Sequence, residues 1–355
     1  MQSFFSTYIS PDDIIVLAVS GGVDSMVLFD MVKSIHPKEK IIVAHLDHCL
    51  RWIYSDWDRE LVANICKREN IVFEVEKLDI GNIAKIEKSS LEAIARRERY
   101  AFLESVRVKY NAKYILTAHH AVDQTETILW NLIKWAKVRG LSGMSMISVL
   151  PSLQRGVPEG RGDLAPAKTE KNPQPATIQA DSSFAKELIG TIFRPLLLVT
   201  KTQILEYARE HQVEYREDST NMDTTYDRNR IRHDIIPVFE SLNPSIHNTI
   251  AELASYIQSL GDFLTDTVES WLRKNELESW KSKTFLVSDF AQLDPFFQSE
   301  IIAYLYTQAQ GGSSQWLSRG LIDELIRFIW DPGSYGVKEI KNLRLERRGE
   351  RISIM

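Results

Sequence analysis

Short, continuous apolar runs alternate with helix-length stretches over residues 13–136. Four runs are bounded by turn residues and resemble buried strands, and they span 13–19, 40–45, 71–75 and 113–118. The intervening pattern predicts helices over 25–35, 55–70, 89–110 and 123–136. Strands that alternate with helices indicate an α/β fold, Rossmann-like, in which helices cover both faces of a parallel sheet. Such sheets bind ligands at the carboxyl ends of their strands.

The alternation stops near residue 149. Five of the 12 prolines lie between Pro151 and Pro175, and hydrophobic periodicity is absent there. We therefore predict a flexible insertion over 149–190, with an ordered active-site lid as the alternative. Helical patterns follow over 201–211, 228–239, 244–274, 295–310 and 317–330. Short strands are expected in 335–355, with a turn at 348–350, which predicts a mainly helical region and then a small α+β region.

Composition narrows the classes of protein that fit. A chain of 355 residues that is 44% hydrophobic can bury a core in two or three domains. Its two cysteines, Cys49 and Cys66, form no CxxC pair, which argues against a disulfide scaffold and for a reducing compartment. The first apolar run, 14–19, is too short to span a membrane, so we expect a cytoplasmic protein without a membrane partner.

The charge balance bears on nucleic-acid binding. A formal net charge of -5 argues mildly against a dedicated nucleic-acid binder, unless basic residues cluster locally. Residues 338–351 hold six basic and three acidic side chains, which supply such a cluster. An ordinary exposed hairpin is the alternative interpretation of that segment.

Residues 20–25 read Ser-Gly-Gly-Val-Asp-Ser, directly after the first strand and at the start of a helix. Glycines let the backbone approach an anion closely, and a helix N-terminus offers free N–H groups and a positive dipole end. The pattern is neither GxxxxGK[ST] nor GxGxxG. A carboxylate at Asp24 beside a phosphate site would recruit Mg²⁺ or orient the loop. A simple helix-capping turn is the alternative.

The hexamer resembles the SGGxDS loop of the N-type ATP pyrophosphatases, or PP-loop family. That resemblance implies cleavage of ATP to AMP and pyrophosphate, with ATP and Mg²⁺ as cofactors. It also implies that Ser20, Gly21, Gly22, Val23, Asp24 and Ser25 bind ATP. Asp24 is then a catalytic and magnesium-holding candidate.

Seven further segments, in the same order along the chain, resemble the tRNA(Ile)-lysidine synthetase family within that group. They are HLDHCLR at 45–51, EAIARRERY at 92–100, TAHHAVDQTET at 117–127, RGLSGM at 139–144, RPLL at 194–197, EDSTN at 217–221 and RNRIR at 228–232. The resemblance implies adenylation of the C2 oxygen of the wobble cytidine in CAU-anticodon tRNA(Ile). Free L-lysine then attacks to give lysidine. A homodimer is possible, but no residue pattern in the sequence bears on the oligomeric state.

Two carboxylates, Asp123 and Glu126, share one face at a helix start. They could hold Mg²⁺ or an ammonium group, and the resemblance implies recognition of lysine. For Asp123, helix capping is the alternative. Arg96 and Arg99 also share a face, suited to phosphate or to charge on an adenylate, and a solvated helix face is their alternative. His119 ends a strand and is the remaining catalytic candidate, although a satisfied strand-end histidine fits as well.

Three arginines are candidates for contact with tRNA: Arg194, Arg228 and Arg232. A solvated helix is the alternative for the last two. The expected organisation is a PP-loop domain at 1–148, the insertion at 149–190, the remainder of the catalytic domain at 191–240, and a helical linker with a tRNA-binding region at 241–355.

Three rival functions stay open. A tRNA thiolation enzyme of the same fold would be expected to use cysteines, and here Cys49 and Cys66 lie far apart. A small-molecule ligase such as NAD synthetase does not need the long helical half with its basic tail. A non-catalytic RNA-binding protein does not need an intact phosphate loop.

Overall fold

The computed structural model describes residues 2–49, 52–133, 141–149, 191–216, 230–275, 283–310, 317–331 and 335–354. The chain forms two compact units, Met1–Ile257 and Gln258–Met355. Their boundary lies inside a long helix, beyond the position near residue 240 where we expected the catalytic region to end. Among the described residues, no helix combines the length and the apolar character needed to cross a membrane.

Six strands build the sheet of the first unit: β1 (Ile15–Ala18), β2 (Ile41–Asp47), β3 (Val72–Lys77), β4 (Tyr114–Leu116), β5 (Ile147–Val149) and β6 (Thr191–Phe193). They lie in the order β3-β2-β1-β4-β6-β5. Every neighbouring pair is parallel except β5 with β6, which is antiparallel. The predicted parallel sheet is confirmed, and it gains two strands that were not predicted: β6, which is parallel to β4, and β5, an antiparallel edge strand. Val149 ends β5 and so does not begin the insertion, whose residues 150–190 lie outside the described residues.

The helices of the first unit follow the predicted alternation. They are α1 (Gln2–Tyr8), α2 (Val23–Ile35), α3 (Trp52–Glu69), α4 (Ile80–Glu87), α5 (Leu91–Lys109), α6 (Ala121–Ile133), α7 (Lys201–Glu210), α8 (Ile236–Leu242) and α9 (Ile246–Lys274), which continues into the second unit. A 3₁₀ turn spans Lys38–Lys40, and a π-helical segment spans Ile231–Ile235. Within the predicted helix 228–239, residues 231–235 are π-helical and lead into α8, whereas 228 and 229 lie outside the described residues. The sequence pattern did not predict α1 or α4.

Both faces of this sheet are covered. Ile15 and Leu17 point to the face on which α2 and α7 pack, through Phe29 and Ile204 among others. Val16 points to the opposite face and packs with Leu103 of α5. Burying each such side chain contributes about 1.5–3 kcal/mol relative to leaving it exposed. This two-sided burial explains why the strands are continuous apolar runs and do not alternate with polar residues.

The second unit has its own sheet and core. Its strands β7 (Lys283–Leu286), β8 (Gly336–Ile340), β9 (Leu343–Arg348) and β10 (Arg351–Ile354) form an antiparallel sheet in the order β7-β10-β9-β8. Its helices are α10 (Val287–Ala291), α11 (Pro295–Ala309) and α12 (Arg319–Trp330). Phe285, Phe290 and Tyr306 are fully buried in its core. The small α+β region is thus confirmed, and β7 and α10 are additions to it.

Candidate active site

The strand order of the first sheet reverses between β1 and β4. From β1 the chain builds β2 and β3 on one side and then returns to place β4 on the other. A crevice for ligands opens at such a point, outside the carboxyl ends of the strands. A cavity of about 1040 Å³ lies here, between the loop that follows β1 and the residues that follow β4. That volume is sufficient for a nucleotide.

The loop at residues 20–25 has the geometry of an anion cradle. Gly21 has a φ of +94°, and a Cβ on it would lie 3.2 Å from Cβ of Asp58. The Ser25 hydroxyl donates to the Gly22 carbonyl at 2.9 Å and accepts from the Ser20 N–H at 3.1 Å. Gly22 caps α2 without a side-chain hydrogen bond, so the helix N-terminus is left to a ligand.

Most of the predicted site residues meet in this one cavity. Those that line it are Ser20, Gly22, Val23, Asp24, Ser25, Arg99, His119, Asp123 and Arg232. Four others, Gly21, Arg96, Glu126 and Arg194, are described by the structure and do not line it. Arg228 lies outside the described residues.

Asp24 lies in the first turn of α2 and faces the cavity. Its Oδ1 accepts from Nζ of Lys201 at 2.6 Å, and its Oδ2 lies 3.7 Å from Nε2 of His120. Burial lowers the pKa of His120, which keeps its ring neutral at pH 7 despite the nearby Asp24 and Asp123 carboxylates. The carboxylate is therefore balanced by a lysine from a distant part of the chain.

Asp123 and Glu126 share one cation, Arg232. The guanidinium donates to Oε1 of Glu126 and, at 3.3 Å, to Oδ1 of Asp123. Asp123 also accepts from the His120 N–H at 2.9 Å. Burial by itself disfavours the Arg232 charge, but the two carboxylates outweigh it and raise the pKa of Arg232. Arg232 thus contacts carboxylates inside the first unit, a partnership that the sequence alone did not predict.

Arg99 and His119 also line the cavity, and Arg96 lies one turn before Arg99 on α5. Partial removal of its guanidinium from bulk water lowers the pKa of Arg99. The guanidinium of Arg96 lies over the Tyr100 ring, 5.2 Å from its centroid. His119 shares a hydrogen bond of 2.9 Å with the Thr117 hydroxyl, and burial lowers the pKa of His119 to about 4. The positive charge for an anionic ligand therefore comes from Arg99, while the neutral His119 ring can offer only a hydrogen bond.

Arg194 occupies a different environment from the expected one. It is 5% exposed, and its guanidinium donates to the Ser145 carbonyl and to the Ser148 hydroxyl, each at 2.8 Å. These contacts tie the residue after β6 to the segment that enters β5. In the structure Arg194 therefore braces the sheet edge and is not accessible to an RNA phosphate.

The donor atoms around the loop suit a magnesium ion carried by a nucleotide. Within the described ranges, no group of three or more His, Cys, Asp or Glu side chains is arranged to hold a metal. Mg²⁺ commonly takes one or two carboxylates and completes its shell with phosphate oxygens and water. Asp24, within the loop at 20–25, carries a carboxylate that faces the cavity and could serve in this way.

Several cavity residues escaped the sequence reasoning. Lys201, Arg216, His48 and Glu240 all line the cavity. Lys201 carried a local signal, since it is the first residue of α7, where the helix dipole disfavours a positive charge. Arg216 carried none, because its link to the loop, a bond of 3.0 Å from its N–H to the Gly21 carbonyl, is a backbone contact.

The two cysteines have separate environments. Cys66 is 1% exposed on α3, and burial raises the pKa of its thiol to about 12. Cys49 is partly exposed and has a φ of +53° in the loop after β2. A thiol held protonated in the core is a poor nucleophile and a poor metal ligand.

Comparison with known proteins agrees with this geometry. The bifunctional protein TilS/HprT of Listeria monocytogenes is 30% identical over 306 residues, which cover 84% of this chain and 41% of that protein. The tRNA(Ile)-lysidine synthase of Thermotoga sp. is 34% identical over 263 residues, which cover 74% of this chain and 53% of that protein. The chain thus spans about half the length of the curated relatives it matches.

A solved structure shares the fold. The U34-tRNA thiolase NcsA from Methanococcus maripaludis aligns with a TM-score of 0.51 and 14% identity, over 71% of this chain and 75% of that one. The family model described as the PP-loop domain matches residues 1–239, which include the phosphate loop and every described residue of the cavity except Glu240. The chain belongs to the PP-loop domain family.

Proposed function

We propose that this protein is a tRNA(Ile)-lysidine synthase. ATP adenylates the C2 oxygen of the wobble cytidine in CAU-anticodon tRNA(Ile), and pyrophosphate leaves. The ε-amino group of free L-lysine then attacks C2, AMP departs with that oxygen, and lysidine remains. The reaction places the enzyme among ATP-dependent C–N ligases, and we expect it to act in the cytoplasm.

One observation carries the proposal: a phosphate loop and the Asp123 carboxylate open into the same cavity. An adenylating enzyme that joins an amine to its activated intermediate needs an anion site and an ammonium site within reach of each other. The relatives named tRNA(Ile)-lysidine synthase support the choice of substrates.

Each side of the cavity has a role in this reaction. The 20–25 loop holds the triphosphate through backbone N–H groups and the α2 N-terminus. Asp24 would hold the Mg²⁺ that accompanies ATP, and the ion's charge would offset negative charge on the phosphates. Arg99, with His119 beside it, stabilises the charge on the adenylate, and Arg96, one turn earlier on α5, adds positive charge to the same region.

Lysine binding requires an exchange of ion pairs. Asp123 lines the cavity, whereas Glu126 is 4% exposed and is held by Arg232. An incoming ammonium group therefore competes with Arg232 for Asp123. The bound amine must lose a proton before it attacks, since an ammonium ion is not a nucleophile.

We assign tRNA binding mainly to positive side chains outside the cavity. On β9, Leu343, Leu345 and Arg347 are buried, while Arg344 and Arg348 are exposed. Arg347 donates to the Ile329 carbonyl at 2.6 Å and so serves the core of the second unit. We assign contact with RNA phosphates to Arg344, Arg228 and Arg348, although Arg348 also pairs with Glu346 at 2.7 Å. Whether the enzyme acts as a homodimer is a separate expectation, which gel filtration or light scattering would test.

The test is incubation with ATP, labelled lysine and total bacterial tRNA, followed by nucleoside analysis. The proposal expects label in lysidine, dependent on ATP. Transfer of sulfur to tRNA without incorporation of lysine would favour a thiolation enzyme. Absence of both products would contradict the proposed function.

The cysteines provide a direct check against the thiolation alternative. Replacement of Cys49 and Cys66 by serine should leave lysine incorporation within about threefold of the wild type, since neither thiol enters the proposed chemistry. Cys49→Ser alone separates a chemical effect from any packing cost at buried Cys66. Complete loss of turnover in that single variant would contradict the proposal.

A further inference from the structure

Lys201 lies at a helix position that disfavours a positive charge. It is the first residue of α7, where unpaired N–H groups and the positive end of the helix dipole disfavour a cation. The start of the helix does not depend on Lys201, because Thr200 and Gln203 form a complete capping box. Its position therefore calls for an explanation from outside its own helix.

That explanation lies in the phosphate loop. Nζ of Lys201 donates to Oδ1 of Asp24 at 2.6 Å, and Lys201 lines the cavity with Ser20, Gly22 and Ser25. Its side chain is 39% exposed, whereas that of Asp24 is 30% exposed. The ammonium group thus lies beside the loop and remains open to the cavity.

The loop itself lacks a cation. The only charged residue in 20–25 is Asp24, whereas the Walker A loop carries a lysine that reaches the terminal phosphates. Within the loop itself, a triphosphate would meet backbone N–H groups and hydroxyls but no positively charged side chain. Among the other cavity-lining cations of the described chain, Arg99 is assigned to the adenylate and Arg232 is held by two carboxylates. The guanidinium of Arg216 lies over Trp57, 5.1 Å from the ring centroid.

We propose that Lys201 binds the β- and γ-phosphates of ATP. From its position outside the loop, it supplies the positive charge that a Walker A lysine supplies from within the loop. The inference rests on the proposed use of ATP. In the nucleotide-free protein Asp24 holds the ammonium group beside the loop. When ATP binds, the ammonium turns to the phosphate oxygens, and Asp24 is released for the magnesium ion that accompanies them.

The test compares the binding of ATP, inorganic pyrophosphate and AMP to wild-type protein and to Lys201→Met, with the same magnesium concentration throughout. A lost charge-assisted hydrogen bond should weaken ATP and pyrophosphate binding by about 10- to 100-fold. AMP binding should change less than about twofold, because AMP lacks the phosphates concerned. Lys201→Arg, which keeps the charge, should recover most of the lost affinity for ATP.

A matched control lies at the opposite edge of the sheet. Lys113 forms an ion pair with Asp13 at 3.3 Å, near the amino ends of β1 and β4. Lys113→Met removes the same charge and the same kind of pair, and it should leave ATP and pyrophosphate affinity unchanged.

A second comparison separates contact with phosphate from simple neutralisation of Asp24. If Lys201 only balances Asp24, then adding Lys201→Met to Asp24→Asn should cost no further ATP affinity. Direct contact predicts that the double variant binds ATP more weakly than Asp24→Asn alone.

Equal loss of ATP and AMP affinity in Lys201→Met, or no loss at all, would overturn the inference. Wild-type protein that binds AMP but neither ATP nor pyrophosphate would overturn the proposed function, and this inference with it.

Discussion

At the scale of single residues, Gly21 shows how backbone conformation makes the anion site. Its φ of +94° lies in the region that side chains rarely adopt, and Asp58 leaves little room for a Cβ. The Gly21 carbonyl also accepts from the Arg216 N–H, which ties the loop to the segment after α7. The loop shape therefore depends on the absence of a side chain at this position.

Gly21→Ala should lower the free energy of unfolding by about 1–2 kcal/mol, since the left-handed conformation strains a residue with a Cβ. ATP binding should weaken as well, because relief of that strain moves the loop N–H groups. Urea denaturation and ATP titration measure the two effects. Gly261→Ala in α9 is the control, because no atom lies within 4 Å of the added Cβ there. Gly21→Ala with wild-type stability and ATP affinity would contradict this account of the loop.

Individual residues were predictable where their chemistry is local. Ser20–Ser25, His119 and Asp123 follow strands directly, so their place at the carboxyl edge follows from the α/β pattern. Partners from distant segments were not predictable. Arg232 meets Glu126 across 106 residues, and Lys201 meets Asp24 across 177. Such contacts depend on how the helices and strands of the first unit pack together, and a local sequence pattern does not encode that packing.

At the scale of elements, polar contacts of His247 join α6, α8 and α9 next to the site. His247 Nδ1 and the Thr125 hydroxyl lie 2.8 Å apart and share a hydrogen bond, and the Nε2 side of the ring pairs with Glu240 at 2.9 Å. Thr125 is fully buried and lies between Asp123 and Glu126 on α6. His247 therefore fixes the helix that carries both carboxylates.

His247→Ala should destabilise the protein by about 2–3 kcal/mol, because it removes two hydrogen bonds and leaves a cavity. Asn can replace the Nδ1 contact and Gln the Nε2 contact, so each should recover part of the loss. Free energies of unfolding in urea would show the order. An alanine variant as stable as wild type, or one that Asn and Gln do not improve on, would contradict the role assigned to His247.

Elements were predictable where they are long or strongly apolar, and the missed ones are short. β5 has three residues and pairs with β6 across the 150–190 segment, and β7 has four residues and pairs with β10 at the C-terminus. A strand of that length gains its stability from its partner and shows too little alternation to be recognised alone. The same reason explains α10, which has five residues.

At the scale of the whole molecule, all eight histidines lie in the first unit. Residues 258–355 contain no histidine. Burial lowers the pKa of His36, His45 and His120, and it lowers the pKa of His48 and His119 to about 4. These rings are neutral in the native state and become charged on unfolding in mild acid.

The free energy of unfolding should therefore fall as the pH drops from 7 to 5. Between pH 6.5 and 4 the unfolded chain binds more protons than the native one, so stability rises with pH in that window. His48 and His119 should each contribute about 1–2 kcal/mol to the loss. Urea denaturation at the two pH values measures it, and hydrogen exchange should locate the opening in residues 1–257. Equal or greater stability at pH 5 would contradict the buried, neutral state of these rings.

The central claim is that the loop after β1 grips ATP for a reaction that tRNA completes. Its most direct test is pyrophosphate release from ATP with and without CAU-anticodon tRNA(Ile), for wild-type protein and Asp24→Ala, alongside the Kd for tRNA. Release should require tRNA and should disappear in Asp24→Ala, while the Kd for tRNA stays within about threefold, since RNA contacts lie mainly outside the loop. Release that needs no tRNA, or equal loss of release and tRNA binding in the variant, would contradict the account.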